Sequence, residues 1–413
     1  MSPHDGPTVG IVGGGQLAQM LHQAAISLDV ATVVLCPDGD APAVRAGARH
    51  LAGHPDRLDD LLALARCTDV LTLDHEHVPT HLLAELEAAG HRVAPGPQAA
   101  ALGRDKAQAR DALRGLVPVA PWARLGDLRA AEAAHGPDDH DDPSGQADGE
   151  PGDLDLDPAA LAAARFAERH GWPVVLKATS GGYDGRGVWV ARSPRELRRA
   201  LADAGAASLM VEAHVTCAHE LAVLVVRSPR GEVASYPTVE TVQRDGCCAE
   251  VLVPAPVDPA LAARAEAMAR TVADAIGLVG VMAVELFATA EGDLLLNELA
   301  TRPHNSGHLT IEACATSQFE NHLRAVLDLP LGATDLRVPA AAMANVVAGP
   351  DGADPFDRWA EALSVPGASV HRYGKASRPG RKLGHITAVG PTVEAARAIA
   401  NGALRSLEPR RAA

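Results

Sequence analysis

Two apolar runs, residues 281–288 and 294–299, flank the turn sequence "ATAEGD", and each carries one glutamate. With Glu291 and Gly292 at the centre of a hairpin turn, Glu285 falls opposite Glu298 on the same face. Carboxylates opposed in this way sit about 5 Å apart at Cβ and repel each other. Amid leucine, valine and phenylalanine they must share a proton or hold a cation. A hard oxygen site of two acids suits Mg²⁺, with Mn²⁺ as the other occupant, and leaves ligand positions for water and phosphate oxygens. Strict alternation sends Asn297 to the opposite face, so it joins this metal set only if the strand bends there.

A second candidate is "LKATSGGYDGRGVW", residues 176–189. The chain has 37 basic residues, and only Lys106, Lys177, Lys375 and Lys382 are lysines. A lysine closing a buried apolar run is costly unless an anion meets it. Its compact ammonium also fits where the wide fork of arginine does not. The adjacent glycines let backbone N–H groups close over phosphates as a hinged lid.

These residues need elements to hold them. "TVGIVGGGQLAQMLHQAAISLDVATVVLCPD" has the periodicity of strand, glycine turn, helix and strand, and "VLTLDHEHVP" adds a strand and a polar loop. We expect a first unit over residues 1–102, a second over 103–206 and a third, alternating strands and helices, over 207–413. The fold class is α/β, with a Rossmann-like βαβ opening. Within the second unit, about 127–157 is an acidic insertion with too little apolar surface to fold: eleven acids stand there against Arg129. That segment supplies most of the net charge of −15, which excludes a nucleic-acid partner. No apolar run is long enough for a membrane span, no signal peptide opens the chain, and the cysteines lack zinc or disulfide spacing, all of which points to the cytoplasm.

The glycine turn "GIVGGGQLAQM" admits three readings: a dinucleotide site with Asp38 as the ribose acid, a smaller phosphate ester, or a turn that needs glycine for its backbone alone. Gln16 stands at the third glycine position of the dinucleotide motif, which weakens the first.

Taken together, "GGGQLAQM", "GGYDGRGVWV", "NELATRPHNSGH" with "SQFENHLRAVLDLPLG", and "RPGRKLGH" resemble the ATP-grasp superfamily, and within it the N5-carboxyaminoimidazole ribonucleotide synthases of purine biosynthesis. The resemblance spans nearly the whole chain outside 127–157. It implies three α/β domains, with ATP between the antiparallel sheets of the second and third. It also implies that ATP, bicarbonate and 5-aminoimidazole ribonucleotide react through carboxyphosphate, in an enzyme that is a homodimer. Carried over residue by residue, Lys106 and Lys177 meet phosphates, and Glu285, Glu298 and Asn297 hold the metal. The lid residues Gly182, Tyr183, Asp184, Gly185, Arg186, Gly187 and Val188 cover the nucleotide. Glu212, Ala213, His214 and Val215 match the adenine segment and Glu220 the ribose carboxylate. Arg302, His304 and Asn305 match the residues around bicarbonate and carboxyphosphate. Tyr183, Asp184 and Arg186 also contact the ribonucleotide. Gln16 and Glu76 close its pocket, and Lys375, Arg378, Arg381 and Lys382 take its phosphate. Three positions depart from the family: Gln243 replaces a histidine near the nucleotide, Gln19 an arginine, and "LDHEHVP" a more aromatic "FEFENVP". A formate-dependent glycinamide ribonucleotide transformylase is the alternative reading.

Overall fold

The chain is described from a computed structural model covering residues 6–135, 158–182 and 185–408. Its first sheet is parallel, with β1 (Thr8–Val12), β2 (Ala31–Cys36), β3 (Arg49–Ala52) and β4 (Val70–Leu73) in the order β3-β2-β1-β4. The helix Gln16–Ser27 follows β1, as its apolar spacing predicts, and buries Leu17, Met20 and Leu21. The strand β3 carries no apolar signal; it is a sheet edge that buries little.

The second sheet is antiparallel: β5 (Trp122–Arg124), β6 (Val174–Ala178), β7 (Val188–Ala191) and β8 (Leu209–Ala213) lie in the order β5-β8-β6-β7. Because β8 pairs with β5 and β6, the third unit starts after Ala213 rather than at 207. An apolar run at a boundary reads the same whichever sheet takes it. The acidic insertion is also shorter than expected at its start. Residues 125–135 form a helix whose Leu125 and Leu128 join the core of this unit, and residues 136–157 lie outside the described residues.

The third sheet has nine strands: β9 (His219–Arg227), β10 (Val233–Ser235), β11 (Val239–Arg244), β12 (Cys247–Val253), β13 (Gly280–Ala288), β14 (Leu294–Ala300), β15 (Ala340–Val347), β16 (Ala368–Arg372) and β17 (Lys382–Gly390). The expected alternation fails here. Strands β9 to β12 follow one another through turns, because antiparallel neighbours need no crossover helix. The central β9 is apolar on both faces, with Leu221 to Val226 fully buried. One face meets the helix Pro259–Ala275 and the other the helix Gln318–Val326.

That second helix ties the units together. Its Phe319, Leu323 and Val326 pack into the core of the parallel sheet with Val9, Ile11 and Val70. Its buried His322 bridges the two sheets through Nε2 to Thr72 Oγ1 (2.7 Å) and through Nδ1, which accepts from the Val281 N–H (3.0 Å). Among the described residues no helix is long and apolar enough to cross a membrane.

Candidate active site

The hairpin β13–β14 does place Glu285 opposite Glu298, but by a route the simple turn did not predict. Near the turn the register is Ala288↔Leu294, Phe287↔Leu295 and Leu286↔Leu296, and the register then shifts so that Glu285 meets Glu298. Asn297 is the extra residue, a β-bulge of the kind that re-aims a side chain. Its Oδ1 accepts from Lys177 Nζ at 3.0 Å. Burial first, then the charges of Glu298 and Glu220, push the Glu285 carboxyl up to about 8, against the pull of Lys106 and Lys382. A half-buried carboxylate pair in which one member is held protonated fits a divalent cation. Among the described residues no group of three or more histidine, cysteine or acidic side chains could hold a metal ion, and the hairpin brings together two carboxylates.

Lys106 and Lys177, the two lysines expected to meet phosphates, both reach this hairpin. Lys177 is the next-to-last residue of the fully buried β6, and its Nζ also lies 2.8 Å from Glu212 Oε2. Burial lowers the affinity of this ammonium for its proton; Glu212 opposes that and Arg110 adds to it. Lys106 opens the helix Lys106–Ala112, which Asp105 caps by accepting from the N–H groups of Ala107 and Gln108. The Lys106 backbone N–H donates to Thr179 O (2.8 Å), tying this helix to the end of β6, and its Nζ is 2.7 Å from Glu298 Oε1. One turn further on, Arg110 was missed in the sequence. It is 1% exposed and lies 2.9 Å from Glu212 Oε2. Its spacing of four from Lys106 was the available signal, since both fall on one helix face.

The glycine loop expected to act as a lid connects β6 and β7. Gly181, Gly185 and Gly187 have φ of 77°, 75° and 75°, which side-chain-bearing residues rarely adopt. A Cβ on Gly185 would stand 2.5 Å from the carbonyl oxygen of Gly246, so the lid passes backbone to backbone over the β11–β12 turn. Gly182, Arg186 and Val188 belong to the same loop and the start of β7, with Arg186 and Val188 exposed; Tyr183 and Asp184 lie outside the described residues. Glu212 ends in the buried ion cluster, whereas Ala213, His214 and Val215 form the edge beyond it. Glu220 lies opposite Phe287 on β9; burial raises its carboxyl, and a hydrogen bond from Gln243 and the charge of Lys177 oppose this.

On the other side of Glu285, His304 Nε2 is 3.4 Å from Glu285 Oε1. Its Nδ1 accepts from the Ser306 N–H (3.3 Å), which leaves the ring proton on Nε2. Burial, with the charges of Arg302 and Lys382, drives this imidazole down to about 3, so it is neutral. Arg302 Nε lies 2.7 Å from Glu76 Oε1, joining the third unit to the loop after β4. Asn305 is less free than expected. Its amide exchanges two hydrogen bonds (2.9 and 2.8 Å) with Asn345, a buried β15 residue that sequence reasoning passed over as one polar position in an apolar strand.

The first glycine loop resolves in favour of the turn. Asp74, in the loop that ends β4, accepts from the Gly15 N–H (2.6 Å) and the Ala18 N–H (3.2 Å), so a protein carboxylate takes the anion position at this helix start. A Cβ on Gly13 or Gly15 would stand 2.8 or 2.7 Å from Asp74 atoms. Gln16 is the first residue of that helix, half-buried. The C-terminal basic cluster divides. Lys375 and Arg381 line a cleft of about 270 Å³ with Asp38, Asp40, Arg45 and Arg372, between the first and third units. Lys382 acts instead on Glu285 and His304, and Arg378 is exposed and does not line the cleft. Arg45 and Arg372 were not anticipated.

Two antiparallel sheets, one carrying the glycine-rich β6–β7 loop and the other the Glu285–Glu298 hairpin, with Lys106 and Lys177 between them, are the architecture of the ATP-grasp class. The family description "ATP-grasp domain" matches residues 157–319, "Ribonucleotide synthetase preATP-grasp domain" residues 7–103, and "Phosphoribosylaminoimidazole carboxylase C-terminal domain" residues 341–399. The chain belongs to the N5-carboxyaminoimidazole ribonucleotide synthase family. It is 45% identical over 396 residues to the synthase of Mycobacterium tuberculosis, covering 94% of this chain and 84% of that protein. It is 40% identical to the synthase of Corynebacterium ammoniagenes, covering 95% and 89%. The Aspergillus clavatus synthase, solved with ADP and 5-aminoimidazole ribonucleotide, superposes with a TM-score of 0.84 at 34% identity, covering 98% of this chain and 99% of that one.

Proposed function

We propose that this ATP-grasp ligase carboxylates the amine of 5-aminoimidazole ribonucleotide with bicarbonate, converting ATP to ADP and phosphate and giving N5-carboxyaminoimidazole ribonucleotide. The observation that carries the reading is the convergence on the Glu285–Glu298 pair: Lys106 reaches it from one side, and His304, with Arg302 and Glu76 behind it, from the other. Nucleotide phosphates, a small carbon acid and a third substrate can meet there.

In this reading Lys106 and Lys177 neutralise the ATP phosphates, the edge from Glu212 to Val215 with Gln243 receives adenine, and Glu220 receives the ribose. Glu285 and Glu298, with Asn297 beside them, would hold Mg²⁺, which would supply charge neutralisation for the transferring phosphoryl group. Arg302 and the neutral His304 orient bicarbonate as its oxygen attacks the γ-phosphorus, with Asn305 and Asn345 fixing the segment beneath. Transfer of this kind is mostly positioning and charge stabilisation. The amine then forms its C–N bond to the carboxyl carbon of carboxyphosphate, or to the CO₂ it releases, as phosphate departs. Lid closure keeps water from that intermediate. Gln16, Glu76 and Arg186 contact the ribonucleotide in the same reading. Lys375 and Arg381, with Arg45 and Arg372, take its phosphate. Cytoplasmic operation, expected from the sequence features, and assembly as a homodimer, implied by the family likeness, belong to the same proposal.

The test is ATP cleavage with each component omitted in turn. ADP release should rise strongly only when 5-aminoimidazole ribonucleotide, bicarbonate and Mg²⁺ are all present. Activity supported by formate, or stimulated by glycinamide ribonucleotide, would move the chain to the transformylase reaction.

A further inference from the structure

Among the described residues Arg110 is as buried as any charged side chain, yet the proposed reaction gives it no task. At 1% exposure a guanidinium is tolerable only against partners. Its Nη2 donates both to Glu212 Oε2 (2.9 Å) and to the backbone oxygen of Asn297 (3.0 Å), and Nη1 reaches Lys106 O at 3.3 Å. Lys177 closes the ring: its Nζ meets the same Glu212 oxygen at 2.8 Å and Asn297 Oδ1 at 3.0 Å. Arg110 therefore contacts both residues that aim Lys177, and on Asn297 it holds the carbonyl of the bulged residue itself.

Charge counting gives the ring a second property. Two cations share one carboxylate, so one positive charge remains over in a site shielded from water, where electrostatic interactions are strong. Without Arg110, Glu212 would neutralise Lys177 alone, and the carbonyl at the bulge would lose its donor.

We infer that Arg110 is a positioning residue of the nucleotide site, which holds the Asn297 bulge and draws off the charge of Glu212 so that Lys177 is presented to the phosphates of ATP. The inference rests on the nucleotide reading proposed above. Arg110 acts only through Glu212, Asn297 and Lys177.

Arg110→Met keeps length and helix preference and leaves Glu212 paired with Lys177, so no buried charge is orphaned. Arg110→Lys keeps the charge on a shorter stem that cannot hold Glu212 and the Asn297 carbonyl together. The Kd of ADP by calorimetry should rise by at least about tenfold in Arg110→Met, and by about threefold or more in Arg110→Lys. The KM for ATP should rise in parallel, with the KM for 5-aminoimidazole ribonucleotide unchanged. A merely structural arginine would lower the active fraction, and with it kcat, and leave the ATP KM unmoved. An unchanged ADP Kd, or a loss confined to kcat, overturns the inference. If Arg110→Met does not fold, the same two measurements on Arg110→Lys decide. Absence of ribonucleotide-dependent ATP cleavage in the wild type would sink the proposed reaction, while the ADP titrations would still judge Arg110.

Discussion

Divalent metal binding should eject a proton from Glu285. In the metal-free protein its carboxyl is pushed up to about 8 by burial and by Glu298. At pH 7 it is therefore about nine-tenths protonated, and a cation must displace that proton to gain the second carboxylate. The sign follows: affinity is full above pH 8 and falls about tenfold for each unit below it. Between pH 8.5 and 6.5 the apparent Kd should weaken about 25-fold, the ratio of the two protonation polynomials for a group at about 8. Mn²⁺ serves as the probe, because its free ion is counted directly by electron paramagnetic resonance. Glu285→Gln should weaken binding at pH 8.5 and flatten the pH dependence, since no titrating partner is left opposite Glu298. A wild-type Kd that moves less than about threefold across this range would refute the reasoning, because the metal would then be binding without Glu285.

Glu298→Gln should abolish turnover and leave the fold intact, because it removes a metal-aligning carboxylate from the hairpin and keeps the side chain's size; near-normal activity at ordinary Mg²⁺ would be incompatible with the metal assignment. Arg381→Ala should raise the ribonucleotide KM far more than the ATP KM, since Arg381 lines the cleft between the first and third units; equal changes in both would place the phosphate elsewhere. Burial drives His322 down to about 3, below its unfolded value of 6.5, so the unfolded chain takes up the proton first and stability is lost as pH falls through 6.5. This one residue should contribute a loss of about 2 kcal/mol between pH 7 and 5. His322→Gln, which can still donate to Thr72 and accept from Val281, should remove that share in denaturant titrations; an unchanged pH dependence would count against it.

The sequence by itself determined the elements whose chemistry is local. An apolar run ending in Lys177, a glycine loop behind it and two acid-bearing strands around a turn are patterns of neighbouring residues, and periodicity fixes which of them share a face. The carboxylate pair, the glycine loop between two strands and the opening βαβ unit were legible for that reason. Tertiary structure decided whatever depends on residues far apart in the chain. Whether the first glycine turn received a phosphate or a protein carboxylate depended on Asp74, 59 residues beyond Gly15. The sheet that takes β8 was settled by pairing with β5 and β6, and a strand's own pattern does not name its partner. The basic cluster near the C-terminus looked like one patch because its residues are close in sequence; the start of β17 sends Lys382 towards Glu285 and His304 and leaves Lys375 and Arg381 on the cleft. The bulge at Asn297, which the sequence left as a condition, and the partners of Arg110, for which it offered only a spacing from Lys106, were decided in the same way. The two meet in a hydrogen bond from Arg110 to Asn297, 187 residues on, and no periodicity records a contact of that span.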